Sequence, residues 1–252
     1  MGRRRRRMQE RLRGLGLRAG YDVRRFDSEY STAARRMRAI ESEEVDVILD
    51  VGANRGQWAA ELRASGYSSR LVSLEPLAEP YAALLERTAA DPHWDAQRLA
   101  LGDQDGTAPI NVAGNVVSSS LLAMTDRHVE GAPASAEVGT ESVRIARLDS
   151  ISRELLDDSA RVFLKLDIQG YELHALRGAE STLDSVRVVE AELSLVELYT
   201  GQPLLPDVFE HLRARGFDCV GLEAGFTDPS SGELLQVDGL FVRRSSDSPG
   251  ES

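Results

Sequence analysis

A strand, a glycine-rich turn and a helix follow one another in residues 46–62, DVILDVGANRGQWAAEL. The apolar residues 47–49 predict a strand that ends at Asp50, and the apolar positions after the turn recur at helical spacing. Between them, Gly52 and Gly56 have no side chains to keep the backbone away from a ligand. The segment therefore predicts the first strand of an α/β sheet with a binding loop at its carboxyl end.

The turn departs from the GxGxxG fingerprint of dinucleotide-binding folds. Asn54 stands where the middle glycine would be, and Asp50 lies two residues before the first glycine. A carboxylate there would repel a pyrophosphate and attract a ligand that carries an ammonium and a sulfonium group. The alternative is a tight strand-to-helix turn with a structural role only.

Composition limits the classes of protein to which the chain can belong. Its 252 residues fit one large α/β domain, or one domain with a small appendage, and 42% of them are hydrophobic. No apolar run approaches the length of a membrane span, and no apolar stretch makes the N-terminal arginines part of a signal peptide. The single cysteine, Cys219, excludes an intrachain disulfide and a multi-cysteine metal site, so we expect a reducing, cytoplasmic setting.

Charge is distributed unevenly along the chain. The net charge is −11, which disfavours nonspecific binding of nucleic acid by the main body, yet residues 1–25 hold ten arginines. The run Arg3–Arg7 suits peripheral contact with an anionic surface or an acidic partner; a solvated terminus is the alternative. We expect a basic segment with a lead-in helix over residues 1–44, a catalytic domain over 45–244 and a disordered tail over 245–252.

The remaining pattern alternates strands and helices joined by short links, which indicates a parallel sheet. Residues 107–140 interrupt it and predict a β-hairpin insertion with a mobile loop. The last two strands have no helix between them and must be antiparallel. The prediction is a Rossmann-like, seven-stranded, mostly parallel sheet with an antiparallel last strand and a β-hairpin insertion after strand 3. Further strands are predicted at 70–75, 94–101, 142–148, 161–167, 186–193, 217–222 and 235–243, and helices at 31–43, 77–88, 171–183 and 204–215.

Carboxylates recur where the predicted strands end. Ligands of open α/β sheets bind beyond the carboxyl ends of the strands, so these acids should lie together. There, Glu75 could accept hydrogen bonds from a ribose diol, Asp103 from an adenine amino group, and Asp50 with the glycine turn could hold a charged amino-acid end. This is a pocket for S-adenosylmethionine. Its predicted residues are Asp50, Gly52, Asn54, Gly56, Glu75, Gly102, Asp103 and Asp167, with Glu192 near the end of the fifth strand.

Several segments carry a family resemblance: DVGANRGQW, SLEP, LALGDQDG with the following SSSL, ARLDSI and FLKLDIQGYELHALRGA. They resemble the FkbM-type methyltransferases, and the last segment is the most specific. The resemblance extends from about Val45 to Val242. It implies a class I S-adenosylmethionine-dependent enzyme that methylates hydroxyl oxygens of polyketides or sugars. One departure is Ser73-Leu74 before Glu75, where the family often has an aromatic residue.

Candidate catalytic residues follow the fourth strand of the alternation. Asp167 is the first candidate for a base that activates an acceptor hydroxyl; its competing role is binding the cofactor's ammonium group or a metal. Lys165, the only lysine in the chain, could orient Asp167 or offset its charge. His174 could act behind Asp167, whereas for His128 an exposed loop position is expected over an approach to the acceptor. Mg²⁺ bound by Asp167, Glu192 and Asp238 is a further option, although no diagnostic ligand spacing supports it.

The preferred hypothesis is an S-adenosylmethionine-dependent O-methyltransferase acting on a small-molecule or saccharide acceptor. An NAD-linked Rossmann-type oxidoreductase is the first alternative, but the glycine fingerprint is wrong for it and no Tyr-Lys catalytic pair is evident. A noncatalytic scaffold that uses its arginine-rich segment for targeting is the second.

Overall fold

A seven-stranded sheet with helices on both faces forms the body of the protein. The computed structural model describes residues 14–15, 17–21, 27–29 and 31–244. The strands are β1 Val47–Val51, β2 Arg70–Leu74, β3 Trp94–Gln97, β4 Ala100–Leu101, β5 Gly106–Ala113, β6 Glu137–Ala146, β7 Val162–Leu166, β8 Val186–Ser194, β9 Phe217–Ala224 and β10 Gln236–Arg243. The α-helices are α1 Thr32–Ser42, α2 Gln57–Ala64, α3 Ala78–Thr88, α4 Asp126–Gly131, α5 Leu148–Leu155, α6 Glu172–Arg177 and α7 Leu205–Ala214.

The strand order of this sheet is β3-β2-β1-β7-β8-β10-β9. Neighbouring strands from β3 to β8 are parallel, and β10 runs antiparallel to both β8 and β9. The predicted fold class is therefore confirmed, including the reversed last strand. Because β1 and β7 are adjacent at the centre, the turns that follow them meet at the point where the strand order reverses, which is where such sheets bind ligands.

Alternating side chains of the strands fill two apolar layers. On one face Leu49 and Leu164 pack with helices α5, α6 and α7, and on the other Ile48 and Phe163 pack with α1, α2 and α3. Both faces of the central strands are thus covered by helices, which explains why these strands read as nearly continuous apolar runs in the sequence.

Residues 94–101 do not form one strand, contrary to the prediction. After Gln97 the chain leaves the main sheet, and β4 joins a second, three-stranded sheet of order β4-β6-β5. In that sheet β5 and β6 are the predicted hairpin; they pair antiparallel, from Gly106 opposite Ile145 to Ala113 opposite Glu137. The predicted strand 142–148 is the second half of β6, which starts earlier at Glu137 and gives way to helix α5 at Leu148.

Of two helical predictions, the helix at 171–183 is too long and the lead-in helix at 31–43 is confirmed. The helix expected over 171–183 ends at Arg177, because Gly178 packs directly on the backbone carbonyl of Gly102, and a short 3₁₀ turn, Thr182–Ser185, follows. The lead-in helix α1 is capped by the Ser31 side chain, as its N-cap sequence suggests. Its residues Ala39 and Ile40 pack in the apolar layer on one face of the sheet.

The arginine run Arg3–Arg7 and the tail 245–252 lie outside the described residues, so the predictions for them are not tested. Within the described part of the chain, no helix combines the length and the apolar character needed to cross a membrane.

Candidate active site

A cavity of about 460 Å³ opens at the carboxyl ends of β1, β2 and β7. Its floor consists of the backbone of residues 51–54 and the side chains of Glu75, Lys165 and Asp167. Its roof consists of the loop 115–121 and His128, both in the insertion. The volume falls within the range of roughly 300–1,000 Å³ that is usual for small-molecule sites. The cavity thus lies where the sequence places the cofactor.

The glycine turn brings β1 and β7 close together. Gly52 has a φ of +77°, and a Cβ atom there would lie 1.9 Å from the carbonyl oxygen of Asp167. Gly56 also has a positive φ, but a Cβ atom on it would meet Leu84 and Trp94 in the core. Gly52 therefore shapes the floor of the cavity. Gly56 was also expected to let the backbone approach a ligand, but it does not line the cavity and is required for core packing instead.

Glu75 holds the turn from the neighbouring strand. Its Oε2 accepts a hydrogen bond from the Asn54 backbone N–H and its Oε1 from the Leu77 N–H, each at 2.8 Å. A carboxylate has about four acceptor positions, so each oxygen retains capacity for a ligand hydroxyl. Burial raises the pKa of Glu75 to about 7, although the two backbone donors oppose this shift.

Asp50 does not reach the cavity in this arrangement. Its side chain is fully buried; Oδ1 lies 3.1 Å from Nζ of Lys165 and Oδ2 accepts from the Ser73 hydroxyl at 3.2 Å. The Lys165 contact is an ion pair without the alignment of a good hydrogen bond, since Asp50 Oδ1 has no aligned donor among the described residues. The attraction expected between Asp50 and a cationic ligand is therefore offset by Lys165.

The Asp50–Lys165 pair belongs to a polar row that crosses four strands. Ser73, Asp50, Lys165 and Glu190 are successive register partners on β2, β1, β7 and β8. Burial alone would lower the pKa of Lys165, but the carboxylates of Asp50 and Asp167 raise it above its usual value, so the ammonium stays charged. The only lysine in the chain is thus a buried cation beneath the cavity.

Glu190, at the end of this row, ties helix α1 to the sheet. Its two oxygens accept from the guanidinium of Arg36 at 2.5 and 2.6 Å. The indole N–H of Trp58 also donates to Glu190, at 3.3 Å. The Trp58 ring, which lines the cavity, contacts the cations of both Arg36 and Lys165 at 5.1 and 5.6 Å from its centroid.

Gln169 connects Asp167 with Glu192 at the cavity wall. Its Nε2 donates to Oδ1 of Asp167 at 3.0 Å and to Oε2 of Glu192 at 2.8 Å. Two carboxylates therefore fix the orientation of the amide. Asp167 also lies 3.4 Å from Nζ of Lys165, and its side chain remains 43% exposed. The structure thus brings Asp167, Lys165 and Glu192 together as predicted.

Glu192, in this wall, and its register partner Asp238 behind it both have raised pKa values. Burial raises the pKa of Glu192 well above its usual value, and Asp167, Glu172 and Asp238 add to the shift. Burial likewise raises the pKa of Asp238 to about 6. Because acids crowded in a buried site resist ionising together, this wall favours neutral or cationic ligands over anions.

Three predicted residues lie beside the cavity rather than in its lining. Asp103 is exposed and its Oδ2 lies 2.8 Å from Nδ1 of His174. The His174 ring stacks on Tyr171 at 4.2 Å between centroids. A Cβ atom on Gly102 would lie 3.0 Å from the Tyr171 ring. His174 is therefore a neighbour of Asp103 rather than of Asp167, and Tyr171 is the member of this group that lines the cavity.

His128 lies in the roof of the cavity and is only 3% exposed, contrary to the expected exposed loop position. Its ring makes an edge contact with Tyr199 at 5.0 Å and a tilted contact with Phe226 at 5.4 Å. The Tyr199 hydroxyl shares its hydrogen between the Ser118 carbonyl at 2.9 Å and Oε1 of Gln169 at 2.8 Å. The insertion thus packs against the wall that carries Asp167 and Glu192.

Sequence reasoning missed Gln169, Tyr199 and Trp58 as site residues. The available signal for Gln169 was its place in a tight turn after a buried strand; in the structure its φ is +57°, which is uncommon for a residue with a side chain. For Tyr199 and Trp58 no local signal exists, because both reach the cavity through tertiary packing.

No group of three or more His, Cys, Asp or Glu side chains is arranged to hold a metal ion in the described part of the chain. The suggestion of Mg²⁺ at Asp167, Glu192 and Asp238 therefore has no support in the geometry.

The strand order, the reversed β10 and the cavity at the ends of β1, β2 and β7 define a class I methyltransferase fold. The chain belongs to the FkbM methyltransferase family: the family's sequence profile, described as "Methyltransferase FkbM domain", matches residues 50–219. It is an S-adenosylmethionine-dependent methyltransferase, and the alternative of an NAD-linked oxidoreductase is therefore wrong. No curated protein matches the chain at a significant level.

Solved structures show similarity at low identity. An rRNA methylase from Streptococcus thermophilus has a TM-score of 0.45 at 10% identity, over 84% of this chain and 97% of that one. The ribosomal protein L11 methylase from Lactobacillus delbrueckii subsp. bulgaricus has a TM-score of 0.44 at 14% identity, over 85% and 79%. Fibrillarin from Aeropyrum pernix, solved with natively bound S-adenosyl-L-methionine, has a TM-score of 0.44 at 12% identity, over 82% and 74%.

Proposed function

We propose that this protein methylates a hydroxyl oxygen of a neutral, polyhydroxylated acceptor such as a sugar or a polyketide-like compound. The observation that carries the proposal is the composition of the cavity wall opposite the glycine turn. There the carboxyl groups of Asp167 and Glu192 and the amides of Gln169 and Gln236 lie near the aromatic rings of His128 and Phe226. Aligned carboxyl and amide groups beside aromatic rings suit an acceptor with several hydroxyl groups.

The floor suits S-adenosylmethionine. Glu75 retains an acceptor position on each oxygen for the ribose diol, and Gly52 and Asn54 present backbone to the methionine end. The apolar side chains of Leu77 and Leu101 and the Tyr171 ring enclose the side expected for adenine. Asp103 is proposed to act there only through His174 and Tyr171, since both lie between it and the cavity. When bound, S-adenosylmethionine supplies an electrophilic methyl group.

Asp167 is best suited to hold the positively charged end of the cofactor. Its carboxylate is oriented by Lys165 and Gln169 and keeps a partly exposed surface toward the cavity. Lys165 is then a positioning residue for Asp50 and Asp167. The roof covers the cavity opposite the floor, so the acceptor oxygen can be kept close to the methyl group, at roughly 3–3.5 Å.

The acidic wall argues against phosphate-bearing acceptors. Glu75, Asp167 and Glu192 face the cavity with a single lysine, and the net charge of the chain is −11. We therefore propose no specific nucleic-acid substrate. The single cysteine is consistent with a reaction in the reducing cytoplasm, with peripheral contact to an anionic surface through Arg3–Arg7 as a separate proposal.

Two experiments test this function. Calorimetric titration should show binding of S-adenosylmethionine and none of NAD, and Glu75→Ala should weaken that binding. Incubation with a metabolite extract of the producing cell and S-adenosylmethionine labelled in the methyl group should then give a labelled product, and tandem mass spectrometry should locate the label on oxygen. Label on nitrogen, sulfur or carbon would contradict O-methylation while leaving the methyltransferase class intact.

A further inference from the structure

We propose that His128 is the catalytic base of the methyl transfer and accepts the proton of the acceptor hydroxyl at its Nε2 atom. This inference rests on the proposed function, because a base is needed only if the acceptor is a weakly nucleophilic hydroxyl group. It assigns the proton transfer to the insertion rather than to Asp167 at the end of β7.

The first argument is that the ring is buried and unpartnered. His128 is 3% exposed, and its Nδ1 atom is buried without a hydrogen-bond partner among the described residues. Nε2 also has no hydrogen-bond partner among the described residues, but unlike Nδ1 it is not a fully buried atom. No protein group therefore competes for the imidazole, and Nε2 is the ring nitrogen left for a ligand in the cavity that His128 lines.

The second argument is that several contacts fix the ring over the cavity. The hydroxyl and the backbone N–H of Thr125, at the start of α4, both donate to the Leu198 carbonyl. Arg127 donates to Asp228 at 2.7 Å and to Glu233 at 2.6 Å, which ties the helix to the β9–β10 loop. The aromatic contacts with Tyr199 and Phe226 set the ring plane. A base held this firmly loses little entropy when it meets the acceptor.

The third argument concerns the charge state of the imidazole. Burial lowers the pKa of His128, and no charged side chain in the described part of the chain offsets that effect, so the ring is neutral near pH 7 and able to accept a proton. The guanidinium of Arg127, the residue before His128, is paired with the carboxylates of Asp228 and Glu233. The ionisable groups on the elements around the ring are Asp126, Arg127 and Glu130 of α4, Glu137 of β6, Glu197 and Tyr199 after β8, Asp228 and Glu233 of the β9–β10 loop, and Glu192 across the cavity.

Asp167 is less suited to this step. One of its oxygens accepts from Gln169 and the other lies next to the Lys165 ammonium, so its lone pairs are directed at groups of the protein. Both contacts hold the carboxylate in one orientation, which fits the role of binding the charged end of the cofactor.

The step balances as a single displacement. A lone pair of the acceptor oxygen forms the new O–C bond to the methyl carbon, and the C–S bond breaks with its electron pair moving to sulfur, which leaves S-adenosylhomocysteine. The hydroxyl proton passes to Nε2 of His128, which becomes an imidazolium. The proton returns to solvent when the product leaves.

The test combines a rate measurement with a direct titration. With the full chain, the metabolite extract as acceptor source and saturating labelled S-adenosylmethionine, His128→Asn should lower the transfer rate by roughly 10²–10⁴-fold. Its calorimetric Kd for S-adenosylmethionine should stay within about twofold of wild type. The substitution removes a roof contact to the acceptor and leaves the floor, which binds the cofactor, unchanged. His93→Asn, at an exposed position, is the matched control and should retain full activity.

The second measurement is made on the wild-type protein. NMR titration of the wild-type protein bound to S-adenosylhomocysteine should give a His128 pKa below its usual value of 6.5, equal to the acid limb of the pH profile of kcat/KM for the acceptor. A His128→Asn variant with wild-type transfer, or an NMR pKa that differs from the acid limb, would overturn the base role alone. Wild-type protein that binds S-adenosylmethionine but methylates no oxygen would overturn the proposed function and the base role with it.

Discussion

The Nζ atom of Lys165 lies 3.1 Å from Oδ1 of Asp50 in a site where Asp50 has no exposed surface. Asp50 is the first residue of the glycine turn's motif and Lys165 the first charged residue of the KLDIQG segment. The ion pair therefore joins the glycine turn to the most specific segment of the chain beneath the cavity. It stabilises the relative positions of β1 and β7, from which the floor is built.

Lys165→Met should destabilise the protein by about 3–5 kcal/mol, because it leaves the buried Asp50 carboxylate without a counter-charge. The double variant Asp50→Asn, Lys165→Met removes both charges and should recover much of that loss. Urea unfolding monitored by circular dichroism measures both. If the double variant were as unstable as the single one, the loss would come from packing rather than from the unpaired charge.

Gly52→Ala should cost more free energy of unfolding than Gly201→Ala. Both glycines have positive φ, but a Cβ atom added at Gly52 would lie 1.9 Å from the Asp167 carbonyl oxygen, whereas one added at Gly201 would have nothing within 4 Å. Gly201→Ala should cost roughly 1–2 kcal/mol, the penalty of the left-handed conformation alone. Gly52→Ala should exceed it and also weaken S-adenosylmethionine binding in calorimetry; equal costs would show that β7 moves away without difficulty.

Gln169→Glu should be destabilising at pH 8 by roughly 1.5–3 kcal/mol, because it replaces the amide donor between Asp167 and Glu192 with a third carboxylate. Lowering the pH should reduce the loss as the new group takes up a proton. Thermal unfolding at pH 5 and pH 8 measures the difference. Gln104→Glu, an exposed change of the same charge, should show little effect at either pH.

Glu172→Gln should flatten the pH dependence of stability between about pH 4.5 and 7. Burial raises the pKa of Glu172 to about 7 from 4.5, so the folded protein binds the proton more tightly than the unfolded chain does. Its stabilising effect is complete below pH 4.5 and is lost as the pH rises to 7, with a slope of up to about 1.4 kcal/mol per pH unit.

Urea unfolding across this range should show the Glu172→Gln variant gaining stability over wild type toward pH 8, since its amide oxygen still accepts from Ile168 and Gly170. The exposed change Glu86→Gln is the control and should leave the wild-type slope in place. An unchanged slope in Glu172→Gln would mean that another acid is responsible.

Arg36→Met should destabilise the protein by about 3–5 kcal/mol, because Glu190 is 7% exposed at its side chain and would lose its guanidinium partner. Adding Glu190→Gln should restore much of the loss. The exposed change Arg38→Met on the same helix should be nearly neutral. A neutral Arg36→Met would show that the Glu190 carboxylate does not depend on this guanidinium.

The order of the elements and the location of the pocket follow from the sequence by itself. Apolar runs ending in acids, the glycine turn after Asp50 and the missing helix between the last two strands determine a mostly parallel sheet with a reversed end. These signals are local, since strand ends, turns and crossovers depend on neighbouring residues. The FkbM-type segments pointed to the same class, which the family match at residues 50–219 confirms.

Side-chain directions and long-range contacts were decided only by the tertiary structure. The register of four strands lines up Ser73, Asp50, Lys165 and Glu190, and this alignment buried Asp50 where the sequence placed a ligand contact. The fold of the insertion brought His128 onto Tyr199, although no local pattern links the two residues. Strand register and loop packing depend on the summed contacts between distant segments. Local patterns in a single sequence therefore do not predict them.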